Sequence, residues 1–83
     1  MMRTISTLRA NDDWTLDVVF TDKEKRRFDV KPLFEYEAFA GLRDIAMFKS
    51  VRNGGYFIEW ANDADLSADT LYLESVAYES NPE

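Results

Sequence analysis

Five oxygen-bearing side chains fall at regular intervals late in the chain: Asp63, Asp65, Ser67, Asp69 and, farther on, Glu74. Counted from Asp63 they occupy positions 1, 3, 5, 7 and 12, the ligand spacing of an EF-hand calcium loop. The chemistry would be coordination of a hard cation by oxygen. Three features oppose it. Ala68 stands at position 6, where glycine makes the sharp turn, Leu71 stands at position 9, and no amphipathic helix precedes the run. The same acids suit a solvated connection that caps a helix, and no metal ligands and no cofactor are expected.

Other chemistry is restricted by what is missing. The 83 residues include no cysteine and no histidine. Disulfides, thiolate zinc sites and cysteine nucleophiles are excluded, as are the usual general base near neutral pH and the commonest transition-metal ligand. No Ser-His-Asp or Cys-His arrangement can be assembled from this chain. Carboxylate chemistry would need a deep pocket to raise a pKa, so the expected protein is not an enzyme. A net charge of −6 disfavours nucleic acid and anionic membrane as direct partners. Lys23, Lys25, Arg26 and Arg27 bunch locally, and a solvated hairpin tip is the expected role. No apolar run approaches the ~20 residues of a membrane span, and the first residues lack a signal-peptide hydrophobic stretch. The expected location is the cytoplasm.

The elements that must position these side chains follow from periodicity. The length predicts one domain over 1–83, and 46% hydrophobic residues predict a folded core. Trp14, Leu16, Val18 and Phe20 alternate with Thr15, Asp17 and Val19, a strand signal. Arg3 to Leu8 is a plausible partner strand, Thr21 to Glu24 a hairpin turn, and Arg26, Phe28 and Val30 a third strand. Pro32 marks a change to helix, where Phe34, Ala38, Leu42 and Ile45 make a helical stripe that Gly41 caps near its end. Phe48 to Val51 is a strand candidate. Asn53, Gly54 and Gly55 predict a hairpin turn with positive φ at both turn positions, after which Tyr56, Ile58 and Trp60 alternate. Ser67 reads as an N-cap with Asp69 in the first turn, so a helix is expected from about Ala68. Leu73, Val76 and Ala77 fit one of its faces, although Thr70 to Leu73 would also pass as a strand. The last residues, Ser80 to Glu83, should fray. The fold class is α+β: an antiparallel β-meander of about three strands, a short helix, a second hairpin and a short C-terminal helix.

Single residues have competing roles. Arg43 and Asp44 could form an exposed ion pair, but an Asp just beyond a helix more often bonds neighbouring backbone amides, and that anchor role is expected. Trp14 and Trp60 are interface-prone types on alternating apolar faces, which favours the core. Tyr36, Tyr72 and Tyr78 suit a fold or a partner equally.

Three blocks carry a family resemblance. Leu16-Asp17-Val18-Val19-Phe20 is followed by Arg27-Phe28-Asp29-Val30. Then come Phe39-Ala40-Gly41-Leu42-Arg43-Asp44 with Phe48, and finally Trp60-Ala61-Asn62-Asp63-Ala64-Asp65-Leu66 leading to Thr70-Leu71-Tyr72. In that order the chain resembles the small prokaryotic domain of unknown function numbered twenty-four forty-two. The typical last block is Trp-Pro-Asn-Gly-Ala-Asp-Leu, and this chain has Ala61 in place of the proline and Asp63 in place of the glycine. Glycine there implies a backbone position with positive φ, which Asp tolerates better than most residues. The resemblance implies an α+β fold with a meander, structural roles for Asp29 and Asp44, and gene neighbourhoods that look like toxin–antitoxin pairs.

The leading expectation is therefore a non-enzymatic protein-interaction module, an accessory or antitoxin-like partner of a neighbouring gene's product. The alternative is a small-ligand-binding domain using the Trp60 to Asp65 turn, with Trp60, Asn62, Asp63 and Asp65 as binding residues. An exposed strand edge leaves a homodimer open through pairing across a two-fold axis.

Overall fold

Apolar alternation builds the first sheet. In a computed structural model, which describes residues 3–77, strands β1 (Ile5–Ala10), β2 (Thr15–Phe20) and β3 (Lys25–Asp29) form an antiparallel meander. Ile5, Leu16, Val18, Phe20 and Phe28 turn one face into the core, and Val30 is buried just beyond β3. The other face carries charge, with Arg9 opposite Asp17 and Asp17 opposite Arg27. The register of β1 slips between Ile5 and Thr7, a bulge at Ser6.

Three hairpins turn in the same way. They close Asn11–Thr15, Phe20–Glu24 and Trp60–Ala64. In each, the first amide donates to the fifth carbonyl and the fourth amide donates back to the first carbonyl. The fourth residue has positive φ every time: Trp14 at 64°, Lys23 at 74° and Asp63 at 73°. The third residue is Asp13, Asp22 or Asn62, whose Oδ1 accepts the amide two residues on at 3.3, 3.0 and 3.2 Å. This is the three-residue hairpin loop, a type I turn followed by a left-handed residue, reinforced by an Asx bond. Asp63 thus holds the conformation that the resemblance implied. Trp14 is a turn residue rather than the first residue of the strand face.

The predicted helical stripe is not one helix. Residues 31–48 form a 3-10 turn at Lys31–Glu35, α1 (Glu37–Ala40), a 3-10 turn at Gly41–Arg43 and α2 (Ile45–Phe48). Tyr36 and Asp44 are extended, with ψ of 136° and 114°, and each interrupts the helical path. Ala38 is exposed, and the buried residues of the segment are Leu42 and Phe48. Gly41 does follow α1, but with φ −66°. Its value is space, since a Cβ there would lie 3.2 Å from Asn62 Nδ2. Phe48 ends a helix where a strand was expected.

The second sheet comprises β4 (Arg52–Asn53), β5 (Phe57–Glu59) and β6 (Asp65–Ser67), in that order. Only Gly55 in the first turn has positive φ, 88°. Gly54 instead makes room for the Phe57 ring, which a Cβ would meet at 2.6 Å. Helix α3 (Ala68–Glu74) begins at the predicted cap, where Ser67 Oγ accepts the Thr70 amide at 3.0 Å. It ends because Val76–Ala77 (β7) pairs with Arg26 and Arg27 of β3. The first sheet therefore has four strands, ordered β1-β2-β3-β7. Leu71 and Ala68 face the core, whereas Leu73 is 75% exposed, so the predicted Leu73–Val76–Ala77 face is not a core face. Tyr78 and Ser80 to Glu83 lie outside the described residues.

Candidate functional site

The short helices have too few residues to satisfy their own terminal carbonyls, and two indoles do it instead. Trp14 Nε1 donates to the Leu42 carbonyl and Trp60 Nε1 to the Phe48 carbonyl, each at 2.9 Å. Trp60 is 2% exposed, edge-on to Phe39 and stacked with Phe48. It is a core latch and offers no wall to a ligand. Asn62 is exposed, and its Oδ1 accepts the Ala64 amide while Nδ2 lies beside Gly41. Asp63 is exposed at the left-handed turn position, and Asp65 is exposed on β6 opposite Glu59. The four candidate binding residues are thus close in sequence but split between the core and the exposed surface. The turn joins strand to strand, and α3 starts beyond β6.

The two structural aspartates each hold a backbone amide. Asp44 Oδ1 accepts the Ala46 amide at 3.0 Å as the N-cap of α2, and Asp29 Oδ1 accepts the Lys31 amide at 3.0 Å. The acidic run that matched a calcium loop is divided among a turn, a strand and a helix. Among the described residues no group of three or more Asp, Glu, His or Cys is placed to hold a metal.

Of the basic cluster, Lys23 in the turn and Lys25 are exposed as a hairpin tip would have them, whereas Arg26 is drawn inward. Arg26 Nη2 donates to the carbonyls of Tyr72 and Ser75 at 2.9 and 2.8 Å, and Nε donates to Ser75 Oγ at 3.0 Å. A cation from β3 thereby satisfies carbonyls at the C-terminus of α3, where the helix dipole favours it. The guanidinium also lies 4.5 Å from the Tyr72 ring centroid, and that of Arg3 lies at 3.5 Å. Arg27 grips Asp17 with two bonds of 2.7 and 3.1 Å. Hydrogen bonding from Arg27 holds the Asp17 carboxyl below its ordinary pKa, and the Thr15 hydroxyl does the same for Asp13. Neither group is poised to exchange protons near neutral pH.

The open surfaces lie elsewhere. A cleft of ≈ 330 Å³ is lined by Phe28, Asp29, Pro32, Leu33, Leu66, Thr70 and Glu74. Among the described residues β7 pairs with β3 at Arg26 and Arg27, and Phe28 and Asp29 have no strand partner on that side. A second cleft is lined by Trp14, Lys31, Phe34 and Arg43. Neither includes Trp60, Asn62, Asp63 or Asp65. The first could not be found in the sequence, because its walls come from two stretches far apart in the chain, 28–33 and 66–74.

Charge is distributed as unevenly as the clefts. Residues 1–60 contain all ten Lys and Arg and ten of the sixteen Asp and Glu, so they are neutral, and the six acids after Trp60 carry the whole net charge. Of those six, Asp63, Asp65, Asp69 and Glu74 are described; all are exposed, and none makes an ion pair among the described residues. No helix among the described residues is long and apolar enough to cross a membrane.

The chain matches none of the curated proteins and none of the solved structures with which it was compared. A family profile does match, over residues 5–77, and those residues hold both sheets, all the short helices and the Trp60–Leu66 turn. The chain therefore belongs to the family described as "Protein of unknown function (DUF2442)".

Proposed function

We propose that this protein is a non-enzymatic, cytoplasmic protein-interaction module, the accessory or antitoxin-like half of a two-gene pair. The observation that carries the reading is that the residues after Trp60 hold the whole net charge, and that the four described acids there, Asp63, Asp65, Asp69 and Glu74, are exposed and make no ion pair among the described residues. Such a surface complements a basic partner, steers its approach and rejects phosphate backbones. The small-ligand alternative at the Trp60 to Asp65 turn lacks its aromatic wall, because Trp60 is buried. β1 is one edge of the first sheet through which a homodimer would pair. The Ser6 bulge interrupts that edge, and we favour association with a different protein. Co-expression with the product of the adjacent gene should yield a complex that co-purifies. Two free monomers at micromolar concentration of both proteins would refute the reading.

A further inference from the structure

We infer that the cleft between α3 and β3 is the seat of the partner, and that it takes a short protein segment combining apolar side chains with Lys or Arg. This inference rests on the interaction reading and names its surface. The floor is apolar: Phe28, Pro32, Leu33 and Leu66 meet there. Burial of a partner's aliphatic or aromatic side chain on such a floor supplies the non-directional part of the association. The rim is acidic. Two carboxylates border the cleft, Asp29 and Glu74, and Glu74 makes no ion pair among the described residues; Asp69 is exposed five residues earlier on α3. Leu73 extends the apolar surface, because it lies three residues from Thr70 on the exposed side of α3.

Charge selects the occupant. Asp29 at the cleft already pairs with Lys31 at 3.0 Å, whereas Glu74 has no cation to meet among the described residues. An anionic ligand would be repelled by this rim, and a purely basic one would leave the floor wet. A segment with both features satisfies floor and rim together. A second copy of this chain is a poorer occupant, because many of its cations are already engaged: Arg3 with Asp22, Arg26 with Glu24, Arg27 with Asp17, Lys31 with Asp29, Lys49 with Asp12 and Arg52 with Glu59.

The test uses the full chain, isotope-labelled for amide NMR, and two synthetic amphipathic peptides of identical apolar pattern. One peptide is lysine–leucine and the other glutamate–leucine. Titration with the lysine–leucine peptide should shift amides of Phe28, Asp29, Leu33, Leu66, Thr70, Leu73 and Glu74, with little change on the outer face of β1 and β2. The affinity should fall with added salt and fall about tenfold in the Asp69→Lys, Glu74→Lys double variant. Leu73→Ser should weaken binding several-fold without unfolding the chain, since that side chain faces solvent. Shifts spread over the acidic residues without Phe28 or Leu33, equal binding of the glutamate–leucine peptide, or cleft shifts that arise from self-association without peptide would each overturn the proposal. The neighbouring gene product supplies a separate arm. If it binds wild type and the double variant equally, the cleft assignment fails while the interaction reading stands. If it binds neither and the peptide still seats in the cleft, the two-gene reading fails and the cleft stands.

Discussion

At the scale of single residues, Arg26 carries more structure than any other charged side chain described. Its side chain is only 16% exposed, and it donates three bonds to the end of α3. Arg26→Ala should cost about 2–3 kcal/mol, because it leaves carbonyls near the helix end without their donor. Arg26→Lys should recover less than half, since a point charge cannot reproduce the fork. Denaturant midpoints at unchanged slope would measure both. Asp63 offers the opposite sign. At φ 73°, Asp63→Gly should stabilise by about 0.5–1 kcal/mol and Asp63→Val should destabilise by more than that. A further residue-scale effect depends on pH. Arg27 lowers the folded pKa of Asp17, so the associated stability is present above the unfolded value near 4 and lost as pH falls through the lower, folded value. Tryptophan fluorescence should show stability declining below about pH 4, and Asp17→Asn should flatten that decline. An identical slope in the variant would exclude the Asp17–Arg27 pair as its source.

At the scale of elements, short helices depend on tryptophans that lie outside them. Trp60→Phe keeps most of the buried ring but orphans the Phe48 carbonyl, at a cost of about 1–3 kcal/mol. Hydrogen exchange should accelerate most in α2 and at Lys49, whose amide bonds back to Ile45. Uniform acceleration across both sheets would argue against a local latch. In the second sheet, Glu59 stands opposite both Arg52 and Asp65. The first pairing is an ion pair of 2.7 Å and the second sets like charges side by side. Asp65→Lys should therefore raise stability by about 0.2–1 kcal/mol, read by thermal unfolding. The same elements show what sequence could reveal. Strands β1 to β3 were legible because an amphipathic sheet enforces a period of two. The Ser67 cap was legible because its chemistry is local. The 34–45 stripe misled because its spacing fits a helix while Tyr36 and Asp44 leave the helical region. Asp44 did carry the opposite signal, an N-cap ahead of Ile45, which would have placed α2 where a strand was expected. The described part of β7, Val76–Ala77, is recognised by its pairing with β3, a long-range contact that local periodicity does not reveal. The cleft beside it was correspondingly invisible, although one wall, the acidic α3, was in plain view.

At the scale of the whole molecule, a neutral portion and an acidic portion share one core. Mutual repulsion among the exposed acids opposes the compact state, and screening relieves it. Moderate salt should therefore raise the thermal midpoint slightly while weakening attachment of a basic partner. The two trends should run in opposite directions over one salt series.

The clasp of Arg26 on Ser75 joins residues 49 apart in the chain. Closing a loop of that length costs roughly 3 kcal/mol of chain entropy, which the β7 pairing, the clasp and the Tyr72 ring against Phe20 offset locally. Kinetically, this seam should be among the last contacts to form and the first to part. In native-state hydrogen exchange, β7 and the final turn of α3 should open at lower free energy than the meander, as a separate unit. A partner seated across α3 and β3 would hold that seam shut, so binding should slow exchange there more than anywhere else.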